Sequence, residues 1–216
     1  MSTITSVELQ KKKQGRFNIF IDGQFAFGAD EDLVVNRRLM VGKIINPEEL
    51  EKILFEAEVG KLMERMYRWF SFRQHSEKEV RDYFRIKVKK KISQPVVDAM
   101  VETLRKKGMI NDLEFAKAWV EARRRSKQKG IRAISSELFQ KGINKEIIEE
   151  VLRLTAASSG RVSEEELAEL ALEKKLRAWK NLSILEFKKK ALDFLIRRGF
   201  EYDTAKEVIE KNARLR

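Results

Sequence analysis

The chain has 216 residues, of which 43% are hydrophobic and 37% charged, with two prolines, ten glycines and no cysteine. This composition supplies a core and favours helix over sandwich or disorder, and it excludes disulfides, thiolate zinc sites and a cysteine nucleophile. A formal net charge of +12 points to a polyanionic partner: nucleic acid, an anionic membrane surface or an acidic protein.

No apolar stretch approaches the roughly 20 residues of a transmembrane span, and the start "MSTITSVELQKKKQG" lacks the apolar core of a signal peptide. A soluble, cytoplasmic protein with no membrane contact is expected. Residues 4–9 then read as a strand, turned by Lys13 to Gly15 onto a second strand in which Phe17, Ile19 and Ile21 alternate. Asp22-Gly23 suits a tight primed turn, because both turn residues need positive φ, and Phe25 and Phe27 continue the hairpin. Such a sheet cannot stand alone, so it is expected to pack on a helix after Asp30 that buries Leu33, Val34 and Leu39.

Beyond Pro47 the pattern is helical and repeats. "LFQKGINKEIIEEVL" (138–152) aligns with "LIRRGFEYDTAKEVI" (195–209), matching Leu138 with Leu195, Gly142 with Gly199, Ile143 with Phe200 and Val151 with Val208. Each copy reads as a helix end, a glycine in the left-handed conformation, an apolar residue folding back, and a second helix. A weaker third copy places Val80 and Phe84 where Ile134 and Leu138 stand, interrupted around "IKVKKK". An amphipathic helix precedes each copy, carrying Leu62, Met66, Trp69 and Phe70; Phe115, Ala116, Trp119 and Val120; and Leu167, Leu170, Ala171 and Leu172.

The predicted fold is therefore mainly α: three tandem three-helix, helix-turn-helix-like repeats in an elongated curved array, preceded by a small N-terminal β-hairpin or sheet. The expected divisions are 1–50, 51–110, 111–157 and 158–216, with "AASSGRVS" (156–163) as the most flexible joint. Ser76 with Glu79, Asn111 with Glu114, Ser163 with Glu166, and Ser183 with Glu186 all have capping-box spacing. The array needs no second copy to bury its core, so a monomer is expected.

Enzyme chemistry has little to stand on. His75 is the sole histidine and reads as a loop or cap-adjacent residue, and no dinucleotide fingerprint or P-loop is present. The acids Glu164, Glu165, Glu166 and Glu169 sit at a helix start, where the dipole favours them without a metal. The three tryptophans fall on apolar stripes and read as core. No catalytic residue, metal or cofactor is expected.

The basic residues carry the functional question. If the helix from Asp112 buries Phe115, Ala116, Trp119 and Ala122, then Lys117, Arg124 and Arg125 point away from that stripe, with Lys127 and Lys129 near or in the following turn. Arg123, Arg124, Arg125, Lys127, Lys129 and Arg132 would then be free to reach a partner, or would form a solvated face. The first repeat offers Lys87, Lys89, Lys90 and Lys91, and the last offers Lys188, Lys189, Lys190, Arg197 and Arg198. At related places in stacked repeats, such residues would form a positive stripe.

Residues 108–152 also carry a recognisable pattern: Gly108, Ile110, Asn111, Asp112, Phe115, Ala116, Trp119, a basic run ending in Lys129 and Gly130, then Ile134, Glu137, Leu138, Lys141, Gly142 and Ile143. In these residues the chain resembles the RecX family, bacterial regulators of the recombinase RecA, and the likeness extends over roughly residues 57–210. The N-terminal hairpin looks like an extension found in a subset of that family. Met109, where the family often has a larger or aromatic residue, and the "IKVKKK" insertion are departures.

The resemblance implies a protein that binds in the groove of the RecA nucleoprotein filament and inhibits strand exchange and the coupled ATP hydrolysis, a negative modulator of homologous recombination and DNA repair. Its expected partners are that filament and, weakly and without sequence preference, single- and double-stranded DNA. The basic residues of the second repeat, with Lys89, Lys90, Lys91, Lys188, Lys189, Arg197 and Arg198, are the expected contacts to RecA or DNA. The alternative is a helical module that binds DNA alone.

Overall fold

Alternating apolar residues at the N-terminus close into a sheet whose turn chemistry follows the sequence. The computed structural model describes residues 1–11, 13–88, 92–157 and 162–214. Strands β1 (Ser2–Leu9), β2 (Arg16–Ile21), β3 (Gln24–Asp30) and β4 (Ile44–Ile45) pair antiparallel in the order β3-β2-β1-β4. Asp22 (φ 49°) and Gly23 (φ 81°) both take the positive φ that a primed hairpin turn requires. The short strand β4 (Ile44–Ile45), which the sequence pattern does not reveal, pairs with the start of β1.

One face of this sheet buries Ile4, Ile19, Phe27 and Ala29 together with Leu33, Leu39 and Ile45. Helix α1 (Glu31–Asn36) starts where the Asp30 side chain accepts from the Leu33 N–H at 2.9 Å. Helix α2 (Pro47–Phe70) is one continuous element of 24 residues, capped by Asn46 with proline in its first turn, where the missing N–H costs nothing. Its first half covers the sheet through Ile53 and Ala57. Its second half supplies Leu62, Met63 and Met66 to another core, shared with Val80, Phe84 and the buried face of α4 (Gln94–Lys106).

Helix α3 (Glu77–Asp82) continues into a π-helical turn, Tyr83–Lys87, at the point where the first repeat carries its extra residues. Lys89, Lys90 and Lys91 lie outside the described residues. His75, just before α3, is buried with its ring stacked on Trp69 at 3.6 Å, so it serves the core of the first repeat.

The chain divides into two bodies, residues 1–75 with 80–110, and residues 76–79 with 111–216. The second body holds α5 (Asp112–Lys127), α6 (Ile131–Gln140) and α7 (Lys145–Ala157), then α8 (Glu164–Trp179), α9 (Ile184–Arg197) and α10 (Tyr202–Arg214). Each triplet has its own apolar centre, one around Phe115, Ala116, Val120, Ile134 and Leu138, the other around Leu172, Phe187, Ala191, Leu195 and Phe200. The aligned glycines behave alike: Gly142 and Gly199 have φ of 80° and 86°. Ile143 N–H reaches back to Leu138 C=O at 3.1 Å and Phe200 N–H to Leu195 C=O at 3.2 Å, the Schellman pattern that satisfies free carbonyls at a helix end.

Of the expected capping boxes, those at Ser163/Glu166 and Ser183/Glu186 form fully. Asn111 accepts from the Glu114 N–H, but the Glu114 carboxylate turns outward to Lys117 at 2.8 Å. Ser76 accepts from the Glu79 N–H at 3.2 Å, and the Glu79 carboxylate meets Lys141 at 2.5 Å. Among the described residues, no helix is long and apolar enough to cross a membrane.

Candidate binding surface on the second and third repeats

The apolar stripe of α5 runs through Phe115, Ala116, Trp119 and Val120, and a 3.6-residue period carries it next to Arg123 and Arg124 rather than Ala122, which is exposed. The expectation that Arg124 points away from the stripe is therefore corrected. Both arginines lie along the inner face with their apolar stems packed and their guanidinium groups meeting acids from other helices. The Arg124 side chain is only 13% exposed.

Glu137 of α6 is the first of these acids. It accepts from Trp119 Nε1 at 2.8 Å, from Arg123 Nε at 2.6 Å, and from Lys129 Nζ. Arg123 also lies over the Trp119 ring, with its Cζ 4.0 Å from the centroid, in a cation–π contact. Burial pushes the Glu137 carboxyl up, but the hydrogen bonds from Lys129, Arg123 and Trp119 outweigh it and hold the group below the usual carboxylate range.

A carboxyl lowered in the folded state contributes stability above its unfolded value, about 4.5, and that contribution is lost as pH falls through the folded value. Glu137→Gln is thus expected to flatten the acid limb of the stability profile. Urea unfolding at neutral pH and below pH 4 checks this: the gap between wild type and variant should narrow on acidification.

Glu164, at the first position of α8, joins the two repeats. One oxygen accepts from Arg124 and the other from the Ile131 N–H at 3.2 Å, so it caps α6, whose N-cap Gly130 has no side chain to do so. Here burial wins over Arg124 and the backbone donor, and the carboxyl is raised. Its linkage has the opposite sign to that of Glu137: a stabilising contribution below the unfolded value that is lost as pH rises through the folded one. Arg124 also donates to the Val162 carbonyl at 2.7 Å.

The same junction is closed by backbone. Gly130 N–H donates to Arg198 C=O at 3.0 Å and Arg132 N–H to Gly199 C=O at 3.1 Å. A Cβ on Gly130 would fall within 3.0 Å of the Gly199 carbonyl, and one on Gly199 within 3.0 Å of Ala133. Arg132 reaches Glu201 at 2.5 Å, and Arg198 donates to the carbonyls of Lys127 and Gln128 at the end of α5. A related arrangement recurs in residues 76–79, where Ser76 Oγ donates to Lys141 C=O at 2.7 Å, Lys78 Nζ to Gln140 C=O at 2.8 Å, and Lys78 lies against Gly142.

The basic residues marked out by sequence consequently fall into groups. Arg123, Arg124, Lys129 and Arg132 are tied to acids within the body. Lys188 likewise meets both Glu210 oxygens, at 2.7 and 2.8 Å. Arg125, Lys127, Lys189 and Arg197 are exposed, and Arg198 is half-buried at the α5 terminus. Two further cations that sequence reading passed over, Lys174 and Lys175 of α8, join this region. Lys174 Nζ donates to Gln128 Oε1 at 2.7 Å, and Lys175 Nζ lies 5.8 Å from the Phe194 ring centre.

Comparison with known proteins gives this arrangement a family. Residues 2–46 match the regulatory protein RecX N-terminal domain, 111–152 the RecX second three-helix domain, and 163–209 the RecX third three-helix domain. Regulatory protein RecX of Bacillus subtilis (strain 168) is 34% identical over 211 residues, 98% of this chain and 77% of that protein. Its counterpart in Bacillus cytotoxicus is 31% identical over 215 residues, with the same 98% and 77% coverage. A crystal structure of regulatory protein RecX superposes with a TM-score of 0.76 at 26% identity, covering 98% of this chain and all of that one. With three RecX domain models matched and such relatives aligned over 98% of its length, the chain belongs to the RecX family of regulatory proteins.

Proposed function

We propose that this protein binds the RecA nucleoprotein filament and inhibits its strand exchange and ATP hydrolysis, acting as a non-enzymatic negative modulator of recombination. The observation that supports this reading most is the separation of charge in the second body: internal ion pairs brace the second repeat and tie it to the third, while Arg125, Lys127, Lys189 and Arg197 remain exposed. A preorganised body with outward cations suits a helical polymer of protein and DNA, where many weak contacts sum and stay sensitive to salt.

The test follows from that separation. Reversing Arg125, Lys127, Lys189 and Arg197 to glutamate should raise the concentration needed for half-inhibition of RecA ATPase at least tenfold, with helical circular dichroism unchanged. Inhibition equal to wild type would make these residues a solvated face. Binding to bare single strands, duplex and RecA-coated strands at two salt concentrations separates a filament-directed regulator from a module that binds DNA alone.

A further inference from the structure

The charge pattern around Gln128 points to a more specific contact. Gln128 ends α5 in the left-handed conformation, φ 42°, and three helices converge on it. Lys127 precedes it, Lys174 of α8 donates to its side-chain oxygen, and Arg198 at the end of α9 donates to the carbonyls of residues 127 and 128. Lys175 and Arg198 lie over the half-buried Phe194 ring at 5.8 and 4.8 Å. None of these four cations forms an ion pair among the described residues, in contrast to Arg123, Arg124, Lys129 and Arg132 nearby.

Two helix C-termini meet here, those of α5 and α9, and each carries about half a negative charge. Four cations exceed that by roughly three charges, so capping the helices does not account for all of them. The surplus also has a particular chemistry. The fork of Arg198 is engaged with backbone carbonyls, so it contributes net charge rather than a bidentate grip, and the lysine ammonium groups bind as point charges that lack the planar fit to a carboxylate. Point charges drawn from two successive repeats suit a chain of evenly spaced monoanions.

We propose that Lys174, Lys175 and Arg198, gathered around Phe194 and Gln128, with Lys127 at the adjoining end of α5, form a subsite for the phosphodiester backbone of a nucleic-acid strand. This rests on the reading above, which leaves open whether basic residues touch protein or DNA, and it assigns this cluster to DNA. The subsite is assembled only when the second and third repeats are locked together, because its cations come from both.

The test is a salt titration of binding to a fluorescent oligodeoxythymidylate, with RecA ATPase inhibition followed in parallel. For single strands the slope of log K against log salt is about 0.7 per phosphate contact, so Lys174→Gln/Lys175→Gln should lower its magnitude by about 1.4. Lys175→Gln alone, which breaks no hydrogen bond, should lower it by about 0.7. Circular dichroism and thermal midpoint establish that both variants are folded. An unchanged slope overturns the subsite. If the slope is unchanged while the double variant loses binding to RecA-coated strands, the cluster faces protein. A wild-type protein that binds oligonucleotide with the expected slope difference but never inhibits RecA would leave the subsite standing and remove the filament reading instead.

Discussion

Replacing Gly199 with alanine is expected to destabilise the second body by about 3 kcal/mol or more, the largest effect of any single methyl group considered. Two costs add. The residue sits at φ 86°, where an L side chain pays about 1–2 kcal/mol. Its Cβ would also fall within 3.0 Å of the backbone of Ala133, which is held in the first turn of α6 and cannot yield as a flexible side chain would. Relief requires α9 and α6 to separate, stretching the hydrogen bonds from Gly130 to Arg198 and from Arg132 to Gly199. Urea unfolding monitored at 222 nm reads the loss, and limited proteolysis should find new cleavage near residues 128–132. A variant as stable as wild type would mean that the two repeats are not in close backbone contact.

The second large effect is expected at Glu137. Glu137→Ala removes the acceptor shared by Trp119, Arg123 and Lys129, and its side chain is only 20% exposed. Two cations and an indole N–H are left without their common partner, each in a partly desolvated place. A loss of about 2–4 kcal/mol follows, because breaking such a network costs more than the net worth of forming it. Arg125→Ala on the outer face of the same helix is the control, expected within about 0.5 kcal/mol of wild type. If the two variants unfold alike, the basic run is solvated along its whole length and the inner and outer arginines do not differ in role.

These two predictions also show what sequence conveyed and what it did not. The Asp22-Gly23 turn was legible because its conformation admits few residues, and the Gly142 and Gly199 helix ends because the offset between them repeated an identical helix-glycine-apolar pattern. Strand β4 was invisible, since two residues set no periodicity. Arg124 was misread for a physical reason: an apolar stripe stops being apolar where the stems of Arg123 and Arg124 take over its inner positions. Their acids lie 14 and 40 residues away, so no local pattern signals the pairing.

Charge runs in sequence therefore overstated the outward face of α5. Conversely, Lys174 and Lys175 belong to no long basic run and became noticeable only when α8 brought them beside Gln128 and Phe194. The signal that could have found the inner pairs was Glu137 itself, which stands one helical turn before Lys141 inside the family pattern. A half-buried glutamate in a strongly basic stretch draws cations to satisfy it.

Under the proposed function, stability and binding are divided among neighbouring charges of the same kind. Arg123 and Lys129 brace the second repeat through Glu137, while Arg124 and Arg132 tie it to the third, which fixes where the exposed cations stand relative to one another. If the proposed filament is the partner, it offers contacts at fixed spacing, and a preorganised body lowers the entropic cost of engaging several at once.

The central claim is most directly tested by RecA ATPase on single-stranded DNA with increasing amounts of this protein. Hydrolysis should fall progressively as the protein is added, and the fall should weaken with rising salt. A rate that stays constant up to a molar excess over RecA, with the protein shown to be folded, would contradict the account.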